Sequence, residues 1–181
     1  MRHRDAVALI ADAGFDASPA VWVDLGSGEG TFTRALASLL TPGSVVHAID
    51  RDAAAVSRLR APSSSVRVVP HALDFVSSPW SVDSLDGILM ANSLHYVADQ
   101  PAFLSLCASR LSPGGRFVIV EYDTTVASPW VPFPVPRRVL PRVFDALGFS
   151  VRFVGSRRSL FGRAELYAGV ASRGIIGGVG A

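Results

Sequence analysis

Three glycines at alternate positions are the first candidates for chemistry in this sequence. Gly26, Gly28 and Gly30 follow the apolar run 20–25 and precede a segment with helical spacing. Glycine lets the backbone approach a ligand closely, and the start of the following helix offers unpaired N–H groups. The dinucleotide fingerprint G-x-G-x-x-G would need a third glycine where Thr31 stands, so NAD and FAD are disfavoured.

An acidic residue follows at the distance that a nucleoside ligand requires. Asp50 closes the β-rich run 45–49 and lies twenty positions after Gly30. A carboxylate at this place can accept hydrogen bonds from both hydroxyls of a ribose. Carboxylates often close strands, so Asp50 is informative only together with the glycine loop.

Alternating elements are predicted to position these residues. We predict strands at 20–25, 45–49, 66–69, 85–90 and 117–121, and helices at 4–14, 31–40, 52–59 and 101–111. The last of these helices, 101–111, is predicted to end at the turn 112–115. Strands that alternate with helices of this length indicate a parallel sheet with its ligand at the carboxyl ends of the strands.

The pattern changes after residue 123. Four prolines in 128–136 predict a stiff extended loop. Beyond it we predict a helix at 137–147 that is interrupted near Pro141, and two strands, 150–154 and 164–171, paired as an antiparallel hairpin at the edge of the sheet.

Five segments in order resemble the motifs of class I S-adenosylmethionine (SAM) dependent methyltransferases, and the resemblance covers nearly the whole chain. They are 21–33 (VWVDLGSGEGTFT), 46–50 (VHAID), 72–75 (ALDF), 85–97 (LDGILMANSLHYV) and 111–121 (LSPGGRFVIVE). The resemblance implies an α/β, doubly wound fold. Its seven-stranded, mostly parallel sheet has the order 3-2-1-4-5-7-6, with strand 7 antiparallel and helices on both faces. We expect one domain at 1–173 and a mobile glycine-rich tail at 174–181.

The resemblance also implies the cofactor, SAM, with S-adenosylhomocysteine (SAH) as product. Asp24 and the loop backbone at Gly26, Ser27, Gly28 and Gly30 would hold the methionine portion. Asp50 would bind the ribose.

A second set of residues would surround the adenine and complete the pocket. Arg51 would lie beside the adenine, and Leu73 would bind the cofactor from the adenine loop after the third strand. Asp74 would accept a hydrogen bond from the adenine amine, Phe75 would offer its backbone N–H, and Asn92 would line the methionine pocket. Alternatively, Asp74 caps its own loop and Asn92 is a turn residue.

Methyl transfer is an in-line displacement, so the protein must align the acceptor and sometimes remove a proton. His95 and Tyr96 follow the fourth strand on the acceptor side, and histidine is a suitable general base. Alternatively, His95 hydrogen-bonds backbone at the start of the next helix. Glu121 ends strand five and either orients an acceptor or is a solvent-facing polar residue. Trp130 either walls an apolar acceptor pocket or anchors its loop, and the same choice applies to Phe133.

Composition limits the remaining possibilities. The chain has 181 residues, of which 49% are hydrophobic and 18% charged, as expected for one compact domain. It contains no lysine, which excludes a lysine base, a Schiff base and a phosphate-loop lysine. Its single cysteine, Cys107, and the spacing of its histidines predict no metal site. No apolar run is long enough for a membrane span and no signal peptide is recognisable, so we expect a cytoplasmic protein without a membrane partner.

Three functions remain open. The first is a methyltransferase with a small-molecule acceptor, held between the first helix, His95–Tyr96 and the segment 124–136. The second is a nucleic-acid methyltransferase that uses the basic segment 124–181, which has eight arginines and two acidic residues. It is disfavoured because 91–94 reads ANSL where amino-methylating enzymes of bases carry Asn/Asp-Pro-Pro-Tyr/Phe, and because ribose methylation of that type needs lysines. The third is a SAM-binding subunit without catalysis.

Overall fold

The computed structural model describes residues 1–59, 65–158 and 164–174. Its five helices are α1 His3–Ile10, α2 Thr31–Leu39, α3 Ala53–Ser57, α4 Gln100–Ala108 and α5 Leu140–Asp145. Its seven strands are β1 Val21–Leu25, β2 Val45–Asp50, β3 Arg67–Ala72, β4 Leu85–Ala91, β5 Leu111–Tyr122, β6 Ser150–Arg158 and β7 Glu165–Ser172. These counts refer to the described residues.

The strands form one sheet in the order β3-β2-β1-β4-β5-β7-β6. Strands β1 to β5 pair in parallel, whereas β7 runs antiparallel to both β5 and β6. The predicted sheet order and the antiparallel seventh strand are confirmed. The switch in strand order between β1 and β4 creates a crevice at their carboxyl ends, which is where open sheets of this kind bind ligands.

Helices cover both faces of the sheet. One apolar core holds Ile10 of α1 and Leu36 of α2 against Trp22 of β1. The other holds Leu104 of α4 and Phe144 of α5 against Phe117 of β5. The central strands are buried on both faces, which explains why their sequences are continuously apolar instead of alternating.

Two proline and glycine signals lie at the beginning of β5 and of α5. The predicted turn 112–115 lies within β5 but at a register shift: Leu85 pairs with Leu111, and the next pair joins Gly87 to Arg116. The residues 112–115 therefore leave the ladder, and Gly114 among them has a positive φ of 84°. Pro141 does not interrupt the helix at 137–147. It stands in the first turn of α5, where its missing N–H costs no hydrogen bond, so the helix begins there and is shorter than predicted.

Two strands are longer than predicted. β3 continues through Pro70 to Ala72, because an edge strand tolerates a residue that donates no hydrogen bond on its outer side. β6 continues to Arg158 because its pairing with β7 extends to Glu165. Of the two strands of the predicted hairpin, β7 lies inside the sheet and only β6 forms its edge. The expected mobile tail lies outside the described residues from position 175 onward.

No helix within the described residues combines the length and the apolar character that crossing a membrane requires.

One close contact in the core generates a stability prediction. A Cβ at Gly87 of β4 would overlap the ring of Trp22, which is 2% exposed on the neighbouring strand. We expect Gly87→Ala to lower the free energy of unfolding by about 1–3 kcal/mol, because overpacking displaces a buried aromatic ring. Chemical denaturation measures this loss. Gly174→Ala is the control, since a Cβ there meets open space, and equal stability of the two variants would contradict the packing described.

Candidate active site

The glycine loop between β1 and α2 has a conformation that requires glycine. Gly26, Gly28 and Gly30 all have positive φ, at 81°, 50° and 78°. A Cβ at Gly26 would overlap Ser93 beyond β4, whereas one at Gly28 would stand in open space. The loop is tied to β2 because the N–H groups of Gly26 and Ser27 both donate to the Ile49 carbonyl, at 2.8 and 3.0 Å.

Asp50 holds this loop from the end of β2. Its Oδ2 accepts a hydrogen bond from the Gly28 N–H at 2.7 Å, and its Oδ1 accepts one from the Asp52 N–H at 2.9 Å. Each carboxylate oxygen has a further lone pair that can accept from a ligand. Asp50 therefore shapes the loop in addition to facing the crevice, a role that the spacing alone did not reveal.

Asp24 is buried under the same loop, with 1% of its surface exposed. Thr33 in the first turn of α2 donates to Asp24 Oδ2 at 2.6 Å, whereas Asp24 Oδ1 has no partner among the described residues. Burial raises the pKa of Asp24 to about 7; the hydrogen bond from Thr33 lowers it and the charge of Asp50 raises it further. The Ser27 hydroxyl is also buried and unpartnered among the described residues. No sequence signal pointed to Thr33, since its role depends on how α2 packs over β1.

Two cavities lie on either side of the glycine loop. The glycine-loop cavity, of about 260 Å³, is lined by Asp24, Ser27, Gly28 and Asn92 among others, and also by Arg157 and Arg158 of β6. The Asp50 cavity, of about 370 Å³, is lined by Gly26, Asp50, Arg51, Asp74, Phe75, Val76, Asn92, Ser93 and Tyr96. The residues expected at the methionine end and those expected at the adenosine end thus fall in separate, adjoining spaces.

The loop after β3 shows which of its residues face the Asp50 cavity. Asp74 lines it but also uses Oδ1 to accept from the Val76 N–H at 2.9 Å, so the loop-capping alternative is realised in the geometry. Phe75 lines it while packing its ring on Phe103, with centroids 5.7 Å apart. Leu73 is absent from the cavity lining and packs against the core instead.

Asn92, the first residue after β4, lines both of these cavities and a third. It has a positive φ of 56°, which fits the turn expected after β4, and its backbone N–H donates to the Val120 carbonyl at 2.8 Å. Its Oδ1 is buried without a partner among the described residues. Asn92 lines the glycine-loop cavity, the Asp50 cavity and a third space, the aromatic cavity.

The aromatic cavity is the largest of the three, at about 680 Å³. Its lining consists of Asn92, His95, Tyr96, Tyr122, Thr124, Val126, Ser128, Trp130, Val131 and Ala164. Trp130 lines this cavity and is 78% exposed, which agrees with the alternative that it walls an apolar pocket. Phe133 instead anchors the segment: its N–H donates to the His95 carbonyl at 3.0 Å and its carbonyl accepts from Gln100 at 2.9 Å.

The segment 124–136 forms one wall of this cavity, and a hydrogen bond joins the residues at its two ends. Asp123 Oδ1 accepts a hydrogen bond from the Arg137 N–H at 2.9 Å, which joins the two ends of 124–136. A second anchor is the hydroxyl of Tyr167, which donates to the Val135 carbonyl at 2.6 Å. The prolines predicted an extended loop, but only the tertiary structure shows what holds it beside β4 and β5.

His95 and Glu121 form a buried pair at the inner end of the aromatic cavity. His95 Nδ1 lies 2.6 Å from Glu121 Oε2, and the His95 backbone N–H donates to Glu121 Oε1 at 3.1 Å. His95 is 2% exposed and Glu121 is fully buried, so the reading of Glu121 as a solvent-facing strand end is wrong. A histidine that hydrogen-bonds a carboxylate through Nδ1 keeps Nε2 for a second partner. Tyr96 is 44% exposed and contacts His95, with ring centroids 4.5 Å apart.

Solved structures share this architecture. The YcgJ protein of Bacillus subtilis aligns with a TM-score of 0.69 and 15% identity over 94% of this chain and 99% of its own. The 1,6-didemethyltoxoflavin-N1-methyltransferase of Burkholderia thailandensis, solved with SAH and 1,6-didemethyltoxoflavin, aligns with a TM-score of 0.63 and 23% identity over 94% of this chain and 77% of its own. The magnesium protoporphyrin IX methyltransferase of Synechocystis PCC 6803, solved with SAM, aligns with a TM-score of 0.65 and 18% identity over 95% and 78%. At these identities the likeness shows the fold.

The family follows from the sequence itself. No curated protein matches the chain. The family model described as a methyltransferase domain matches residues 23–117, which is more than half of the chain and runs from β1 into β5. With this match, the sheet order and the shared fold, the chain belongs to the class I S-adenosylmethionine-dependent methyltransferases.

Proposed function

We propose that this methyltransferase transfers the methyl group of SAM to a small-molecule acceptor bound in the aromatic cavity. The observation that carries this proposal is the position of Asn92, which lines the aromatic cavity and both cavities beside the glycine loop. A cofactor that fills the two loop cavities and an acceptor that fills the aromatic cavity would therefore meet at one residue. Close contact between donor and acceptor is the first requirement of a displacement reaction.

The residues around the glycine loop fit SAM. Asp24 Oδ1 and the Ser27 hydroxyl are buried polar groups without partners in the described part of the chain, and both face the cavity assigned to the methionine end. The open space beside Gly28 leaves room for a ligand against the backbone. Asp50 would bind the ribose, and Arg51, Asp74 and Phe75 would surround the adenine in the Asp50 cavity. Bound SAM supplies an electrophilic methyl group on a sulfonium.

The remaining tasks belong to side chains of this protein. The wall formed by Trp130 and Val131 would exclude water from the acceptor. Glu121 holds His95 through two hydrogen bonds and would stabilise the imidazolium after proton transfer. His95 would take the acceptor proton, and Glu121 is a positioning residue.

The contacts of the basic C-terminal segment support a small acceptor over a nucleic acid. Arg137 stacks on Phe153 at 4.4 Å, and Arg173 stacks on Phe149 at 4.6 Å. Arg157 pairs with Asp5 at 3.2 Å. Arginines that pack on the protein's own rings and carboxylates offer less free charge to a phosphate backbone.

The direct test is SAH release from SAM in the presence of two fractions of a bacterial extract, small metabolites and total RNA. We expect release with the metabolite fraction. Release with RNA alone would establish the nucleic-acid alternative, and SAH or SAM binding without release on either fraction would favour a non-catalytic subunit.

Removing the carboxylate of Asp50 should weaken cofactor binding. We expect Asp50→Ala to lower SAH affinity by about 2 kcal/mol, roughly thirtyfold, because both the ribose and the Gly28 N–H lose a charged acceptor. Calorimetry with SAH measures this change, and NADH in parallel should give no binding. Asp99→Ala is the control, since the Asp99 carboxylate also accepts a hydrogen bond from a backbone N–H but lies outside the cavities. Unchanged SAH affinity in Asp50→Ala would place the cofactor elsewhere.

The raised pKa of Asp24 predicts a pH dependence of binding. With a pKa of about 7 the ligand-free carboxyl is largely protonated at pH 6, whereas the ammonium group of SAH favours the ionised form. Binding should therefore release a proton at pH 6, and SAH affinity should rise as the pH increases toward about 7 and stay constant above it. Calorimetry in buffers of different ionisation enthalpy counts the proton. Asp24→Asn should abolish both effects, and an unchanged proton release in that variant would exclude Asp24 as its source.

The pair of His95 and Glu121 generates the last prediction of this section. His95→Ala should reduce SAH release with the active metabolite fraction by about a hundredfold, the usual size of a lost general base, with SAH affinity unchanged. Because this variant leaves Glu121 buried with one partner, Glu121→Gln is the matched change. It keeps the volume and one acceptor oxygen, but it removes the charge and replaces the second acceptor with an NH2 donor, so that His95 can no longer donate to both atoms. We expect it to fold with near wild-type thermal stability and to lose turnover. A loss confined to stability or SAH binding in both variants would make His95 structural.

A further inference from the structure

We infer that the acceptor is an uncharged aromatic compound that is methylated on a hydroxyl group attached to its ring. This inference rests on the proposed function and specifies the chemistry of the aromatic cavity. Three observations support it: the side chains that line the cavity, the pair of His95 and Glu121 at its inner end, and the exposed apolar side chains of its walls.

The lining of the cavity argues against a charged acceptor. Its side chains in the described part of the chain are aromatic, aliphatic, hydroxyl and amide groups, with His95 as the one titratable group other than two tyrosines. A carboxylate, phosphate or ammonium bound here would lose water without gaining a counter-ion, which is costly. Arg157 and Arg158 line the glycine-loop cavity instead, and Arg51 lines the Asp50 cavity.

The walls of the cavity suit a flat ring. Trp130 is 78% exposed, Val126 is 72% exposed and Tyr96 is 44% exposed, although the chain buries most of its other large apolar side chains. Apolar groups that remain exposed around one concave space mark a ligand site. Two tyrosine rings flank the imidazole of His95, at centroid distances of 4.5 Å for Tyr96 and 6.3 Å for Tyr122. A planar acceptor stacked in this space would bring its edge toward His95.

The buried pair of His95 and Glu121 indicates which group the edge of the acceptor ring carries. Glu121 binds His95 at Nδ1, so the other ring nitrogen can accept a proton. A hydroxyl on an aromatic ring gives up its proton to an imidazole more readily than an aliphatic alcohol does, because the ring delocalises the charge of the oxygen. The hydroxyl oxygen forms a bond to the methyl carbon as the carbon–sulfur bond of SAM breaks. The proton passes to His95 and then to solvent, and the products are a methyl ether and neutral SAH.

The charge of the acceptor is tested with three probes of the same ring size: 1-naphthol, 1-naphthylamine and 1-naphthoate. Each is titrated by calorimetry into the full chain saturated with SAH, so that binding is measured without turnover. We expect 1-naphthol to bind at least tenfold more tightly than 1-naphthoate. Trp130→Ala should weaken 1-naphthol about tenfold, whereas Leu106→Ala, which truncates an exposed side chain on α4 away from the cavity, should not.

The chemistry is tested by incubating the same probes with SAM and identifying products by mass spectrometry. We expect 1-methoxynaphthalene from 1-naphthol, and its loss in Glu121→Gln without loss of 1-naphthol binding. Preferred binding of 1-naphthoate, methylation of 1-naphthylamine in preference to 1-naphthol, or no binding of 1-naphthol would overturn the inference. SAH calorimetry is read separately: if SAH binds and 1-naphthol does not, the acceptor class alone is wrong, whereas failure of SAH to bind removes the proposed function as well.

Discussion

The site depends on the close approach of two strand ends, β1 and β4. Gly26 makes this approach possible because it carries no Cβ where Ser93 packs, and Ser93 then donates its hydroxyl to the Leu25 carbonyl at 2.6 Å. This contact fixes Asn92, the preceding residue, at the junction of three cavities. A larger residue at position 26 would separate the strand ends and, with them, the spaces assigned to cofactor and acceptor.

Two carboxylates are buried near these strand ends, and their surroundings give them different tasks. Asp24 has one oxygen bound to Thr33 and one without a partner in the described part of the chain, so it can still bind a cation. Glu121 is fully buried and uses both oxygens on the same residue, His95. Asp24 lines the glycine-loop cavity and can bind a ligand there, whereas Glu121 lines none of the three cavities and can only orient its neighbour.

A single short segment forms the outer side of the aromatic cavity. The segment 124–136 forms the outer wall of the aromatic cavity and is held by the bond between Asp123 and Arg137 and by the hydroxyl of Tyr167. Since these anchors lie at and behind the base of the segment, Trp130 and Val126 remain exposed toward the cavity. Exposed apolar side chains around one concave space are typical of a ligand site, and they are the basis of the acceptor site that we propose.

The sequence by itself determined the alternation of strands and helices, the glycine loop and the position of Asp50, because each depends on local patterns: apolar runs, glycines that need positive φ, and fixed spacing along the chain. The strand order followed from the resemblance of five motifs to a known family and not from these patterns. It misread Pro141, because a proline in the first turn of a helix begins the helix instead of interrupting it. Only the tertiary structure decided that Thr33 binds Asp24, that Leu73 faces the core, and that Glu121 lies under His95. Each depends on how separate elements pack on one another, and no local pattern encodes which side chains meet when the layers pack.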